Sequence, residues 1–128
     1  SSHYPVEPSG RVRLRLGNSA RSGTIGLILE GRKEDGSVRP IQPTVAIEDA
    51  GGGKVSLVLN PRESSLGENG VTWEENGADA AIWYAFEGTF PDCEIRSVEF
   101  ENPHTFPLTL ISIWFEISAE LPPDPSSR

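Results

Sequence analysis

The chain has no methionine, one cysteine and two histidines in 128 residues. A lone Cys93 closes no intrachain disulfide, so the fold must be held by its core and its backbone ladders. The two imidazoles are poorly placed for chemistry. His3 lies in a Pro/Ser-rich stretch and His104 in a loop bounded by Pro103 and Pro107. Cys93 follows Pro91-Asp92 with no histidine close in sequence. There is no G-x-S-x-G turn, no H-E-x-x-H pair and no phosphate loop. No catalytic residue, metal ligand or cofactor is read from this sequence, and an enzyme is not expected.

Long hydrophobic runs are missing as well. The longest, Leu108 to Ser118, is well short of the ~20 apolar residues that cross a bilayer, so no transmembrane segment is expected. Positive charge is scarce: 11 Lys and Arg stand against 19 Asp and Glu, a formal net charge of −8. An acidic surface repels phosphate backbones, which excludes nucleic acid as the expected partner.

Glycine and proline are abundant, at 13 and 11 residues, and they recur as punctuation between short apolar segments. Val12, Leu14 and Leu16 alternate with Arg11, Arg13 and Arg15, a strand with one apolar and one basic face. Thr24 to Glu30 answers it with Ile25, Leu27 and Leu29, and the pair is expected to form a hairpin. Val38 to Pro43 carries two prolines and reads as an edge strand or a crossing loop. Thr44–Asp49, Lys54–Asn60, Gly70–Glu75, Ala80–Glu87 and Ile95–Glu101 read as further strands. Asn76-Gly77 is the strongest hairpin turn in the chain. Asn60-Pro61 followed by Glu63 is the only helix-start signal, and Gly67 limits it to a turn near 61–66.

Leu108–Ser118 closes the series. Ile111, Ile113, Phe115 and Ile117 fall on one face at period two, with Leu108, Leu110 and Trp114 on the other. That pattern predicts a central strand covered on both sides. About nine strands at short, regular intervals predict an all-β fold: an antiparallel β-sandwich, immunoglobulin-like or jelly-roll-like. Residues 11–120 form its single domain. Residues 1–10 are an extended N-terminal tail and 121–128 a Pro/Ser-rich C-terminal tail.

Candidate site residues cluster in the Asn76-Gly77 hairpin. Trp73, Trp83 and Tyr84 lie there with Glu75, Asn76 and Asp79. Adjacent strand residues point to opposite faces, so at least one of Trp83 and Tyr84 is exposed unless both faces are covered. A flat exposed ring buries much area at little rotamer cost, and polar loop groups beside it can hydrogen-bond a ligand. The competing reading places Trp73 and Trp83 in the core with Tyr84 at its edge. Arg11, Arg13 and Arg15 form a second candidate, for an anion. The competing reading there is cross-strand pairing with Glu30, Glu48 or Glu99. Acidic residues around Asn76-Gly77 and Cys93 lack the compact spacing of a calcium loop.

The sequence thus points to a non-catalytic binding module of a larger secreted or surface protein, recognising a carbohydrate or protein ligand. The alternative is an assembly subunit, a homo-oligomer or a chain pairing with others through its strands. The third reading is an anion- or lipid-surface module using the arginine stripe.

Overall fold

The computed structural model describes residues 3–20, 23–62, 69–90 and 94–117, with backbone alone at 16–20, 116 and 117. Its ten strands are β1 (Tyr4–Val6), β2 (Arg11–Ala20), β3 (Gly23–Arg32), β4 (Thr44–Asp49), β5 (Lys54–Leu57), β6 (Asn60–Pro61), β7 (Val71–Glu74), β8 (Ala81–Phe90), β9 (Ile95–Glu101) and β10 (Leu108–Ile117). They form two antiparallel sheets packed as a β-sandwich. Sheet A has the order β1-β10-β3-β8-β6, with β7 also on β8, and sheet B the order β2-β9-β4-β5.

Alternation builds the core. Ile25, Leu27 and Leu29 of β3, and Ile82, Tyr84 and Phe86 of β8, are buried from sheet A. Val45 and Ile47 of β4, with Val98 and Phe100 of β9, meet them from sheet B. Each such side chain contributes roughly 1.5–3 kcal/mol by leaving water. On β2, Val12 and Leu14 pack against this cluster.

Several sequence expectations change here. Among the described residues there are ten strands rather than nine: Tyr4–Val6, within the expected tail, pairs with Leu108–Leu110 of β10, Asn60–Pro61 forms a strand of its own, and Val38–Pro43 forms none. β2 and β3 make no hairpin: β2 pairs β9 in sheet B, while β3 lies between β10 and β8 in sheet A. The arginine face of β2 lies against carboxylates on β9. Asn60 and Pro61 bridge to Glu87 and Phe86 as β6, and the rest of the helical turn expected near 61–66 falls on 63–66, outside the described residues. Val38–Pro43 is a crossing loop without a ladder.

The expected two-faced strand is a one-faced strand with a bulge. Leu110 pairs Leu29 and Ser112 pairs Ile28, so one extra residue falls at Ile111. The insertion switches the phase of the alternation. Leu108 and Leu110 before it, and Ile113 and Phe115 after it, all face the core, whereas Trp114 points outward.

The turn before β10 is pinned by a buried amide. Asn102 is fully buried; its Nδ2 donates to Val6 O at 3.0 Å and to Phe106 O at 2.8 Å, and its Oδ1 accepts from His104 N at 3.0 Å. One side chain thereby joins the edge strand β1 to the 102–107 turn. Among the described residues no helix is long and apolar enough to cross a membrane.

Candidate functional site

All three tryptophans lie on the outward face of sheet A, and none is in the core. The register explains why. Trp83 alternates with Ile82 and Tyr84, which face the core, so its ring must face away. Trp73 pairs with Trp83 across the β7–β8 hairpin, and its ring meets Trp83 edge-on at 5.5 Å between centroids. Trp114 pairs with Gly26, and its indole lies directly over that glycine. A Cβ at Gly26 would collide with the ring, so the glycine is what lets the indole lie down on the sheet.

Exposure divides the three. Trp73 is 42% exposed, while Trp83 and Trp114 are half-buried. The Trp83 indole N–H donates to Glu30 Oε2 at 2.8 Å, which satisfies its polar edge and fixes the ring. The Arg62 guanidinium stands 5.7 Å from the Trp114 ring centroid. Trp73 is therefore the free ring, backed by a held one.

The polar residues expected beside the rings fall at the tip of the same hairpin. Glu75, Asn76 and Asp79 are all exposed. Glu75 N–H bonds Ala81 O at 3.0 Å, closing the hairpin, and Arg32 donates to the Asp79 carbonyl at 3.2 Å. The loop is thus fixed by backbone groups while its side chains point to solvent.

Tyr84 is elsewhere. It is 1% exposed, inside the sandwich, and its hydroxyl donates to Arg39 O at 2.6 Å. Burial pushes its pKa up to about 12, against the smaller opposing pull of Arg39. It braces the crossing loop from within and presents nothing to a ligand.

The arginine stripe runs along the outward face of sheet B, paired with carboxylates. Arg11 Nε meets Glu101 Oε2 at 2.6 Å and Arg13 meets Glu99 at 3.5 Å. The hydrogen bond and charge of Glu101, then the charge of Glu99, raise the Arg11 pKa further above its ordinary range. Arg15 faces Ser97. Among the described residues no three His, Cys, Asp or Glu side chains converge as a metal site; Cys93 and Asp92 lie outside them.

Two features had no signal in the sequence. One is a cleft of about 770 Å³ where the chain passes from β5 to β6, bordered by Val55, Val58, Asn60, Thr24, Glu87 and Thr89. Gly88 lines it too, and there the 58–59 backbone lies close on β8: a Cβ would lie 2.5 Å from Val58 O. The other is a stack in which Phe106 lies between the His104 ring, at 4.9 Å, and the Arg39 guanidinium, at 4.5 Å. Arg39 in turn meets Glu34 at 2.9 Å. His104 Nε2 accepts the Gln42 N–H at 2.9 Å, and burial lowers its pKa.

No protein-family model matches the chain, and no curated protein matches it.

Proposed function

We propose that this protein is a non-catalytic binding module that recognises a carbohydrate through the tryptophan face of sheet A. The observation that carries the reading is the outward placement of every tryptophan, with Trp73 left exposed beside the polar hairpin tip. A protein this size ordinarily spends its largest rings on the core. Here the core is built from aliphatics, Tyr84, Phe86, Phe90 and Phe100 instead.

Of the two ligand classes expected from the sequence, the surroundings of Trp73 favour a sugar over a protein. Among the described residues the exposed large apolar side chains are Tyr4, Val55, Val58 and Trp73. Trp73 is thus an exposed ring against the half-buried Trp83, on the strand that leads to the exposed hairpin tip of Glu75, Asn76 and Asp79, and the other exposed large apolar side chains among the described residues lie on or next to other strands. A protein interface has a desolvated apolar centre inside a polar rim. A sugar ring needs one flat apolar surface and hydrogen-bonding groups at its margin. In this reading Trp73 stacks on the sugar, Trp83 holds it from behind, and Glu75, Asn76 and Asp79 bond its hydroxyls.

The test is a titration with a panel of soluble α- and β-linked oligosaccharides, followed by tryptophan emission in the wild type and in Trp73→Ala. The reading requires that at least one oligosaccharide shift the wild-type emission, and that Trp73→Ala weaken its binding about five-fold or more, since a ring that stacks on a ligand is worth on the order of 1 kcal/mol. A panel that leaves the emission unmoved overturns the carbohydrate reading.

A further inference from the structure

We propose that the cleft between β5 and β8 is a second site, which takes an extended cationic peptide as an added β-strand. The cleft is distinct from the Trp73 hairpin, and this inference does not depend on the carbohydrate reading.

Unpaired strand edges are the first argument. Among the described residues β5 has β4 on one side only, so half of its N–H and C=O groups point away from that partner. On β8 the N–H and C=O of Ala85 point towards β6 and β7, where they bond Gly70 O and Arg62 N. By the alternation of the ladder, those of Glu87 and Thr89 point to the same edge. Asn60 meets Glu87 there, but Thr89, whose ladder partner is Thr24 of β3 on the other side, has no strand partner on this edge among the described residues. Two backbone edges, one from each sheet, therefore border one cleft, and strand addition is how an extended chain uses such an edge.

The side chains supply the second argument. Val55 pairs with Ile47, which is 1% exposed, so both point to the core side of sheet B. Yet Val55 is 39% exposed, and Val58 beside it is 77% exposed. A core-facing valine this exposed is one that the described residues leave uncovered. Charge is the third argument. Glu87 lines the cleft, no Lys or Arg does among the described residues, and the whole chain carries −8. An incoming segment that covers the valines with β-branched side chains and offers Lys or Arg to Glu87 satisfies all three features; an acidic segment is repelled.

The probe is an acetylated, amidated hexapeptide alternating lysine and valine, titrated into the full chain while backbone amide shifts are followed by NMR. The expected result is saturable movement of the Val55–Val58 and Gly88–Phe90 amides. Glu87→Gln should weaken binding about five-fold, the size of one exposed ion pair. Methylating alternate amides of the peptide should weaken it about ten-fold or more by removing its ladder donors. No shift of these amides at about 1 mM peptide overturns the proposal. So does binding that survives both N-methylation and Glu87→Gln, since that is charge attraction without a strand. Shifts at these amides caused by an oligosaccharide but not by the peptide also overturn it, and assign the cleft to a sugar.

Discussion

Asn102 shows how much one buried amide can hold. Its three hydrogen bonds connect β1, the 102–107 turn and the start of β10. Asn102→Ala removes the donor to the buried Val6 carbonyl and, at part-buried positions, the donor to Phe106 O and the acceptor for His104 N–H; a buried loss costs ~1–3 kcal/mol and the others less. We expect a destabilisation of about 3 kcal/mol in urea unfolding; a change below about 0.5 kcal/mol, the range of an ordinary surface substitution, contradicts the assignment. Tyr84 gives a pH signature. Its pKa is raised in the folded state, so its contribution is full below pH ~10 and is lost as pH climbs towards about 12. Tyr84→Phe should cost about 1 kcal/mol at neutral pH and flatten the alkaline fall in stability. A parallel alkaline fall in both proteins sinks that account. His104 acts at the other end. Its folded-state pKa is lowered, so the unfolded chain takes up a proton first as pH falls below ~6.5. Stability is full above that pH and declines through the folded pKa, as protonation removes the acceptor for Gln42 N–H. The wild type should therefore lose more stability than His104→Gln between pH 7 and 5, and equal losses refute the role.

Among the elements, the hairpin was the most legible. Asn76-Gly77 announced a turn, Val71–Glu74 and Ala81–Phe90 paired across it, and Trp83 and Tyr84 took opposite faces as alternation demands. Which of the two faced the core was not legible, because that depends on where sheet B lies. The long apolar run shows a second limit. A bulge at Ile111 costs nothing visible in the sequence, yet it shifts the phase and turns two apparent apolar faces into one. The partner of β2 was equally hidden: strand order is set by long-range pairing, and the Arg11–Glu101 and Arg13–Glu99 contacts span most of the chain. The cleft is bordered by a glycine whose close neighbour is distant in sequence. Gly88→Ala puts a Cβ against Val58 O and Leu59 Cδ2, at 2.5 and 2.8 Å. It should destabilise the protein by roughly 1–3 kcal/mol through overpacking and displace the 57–60 crossing. Gly88→Ala that melts with the wild type, its Val58 amide shift unchanged, contradicts the close approach.

At the scale of the molecule, two sheets divide the labour. Sheet B offers a charged lattice to solvent, with arginines of β2 set against glutamates of β9. The edge strand β2, with Arg11, Arg13 and Arg15 along one face, is poorly suited to pairing with a copy of itself. We therefore expect a single monomeric species by light scattering at high protein concentration; a defined dimer contradicts this and revives the assembly alternative. Sheet A carries the rings, and its outward face is the centre of the functional account. The most direct test labels the protein with 5-fluorotryptophan and assigns its three resonances by Trp→Phe substitution at 73, 83 and 114. The account predicts that the Trp73 resonance is broadened most by a soluble paramagnetic agent, and that it moves first and furthest when a bound oligosaccharide is titrated in. A Trp73 resonance shielded like the other two, or unmoved while an oligosaccharide binds, contradicts it.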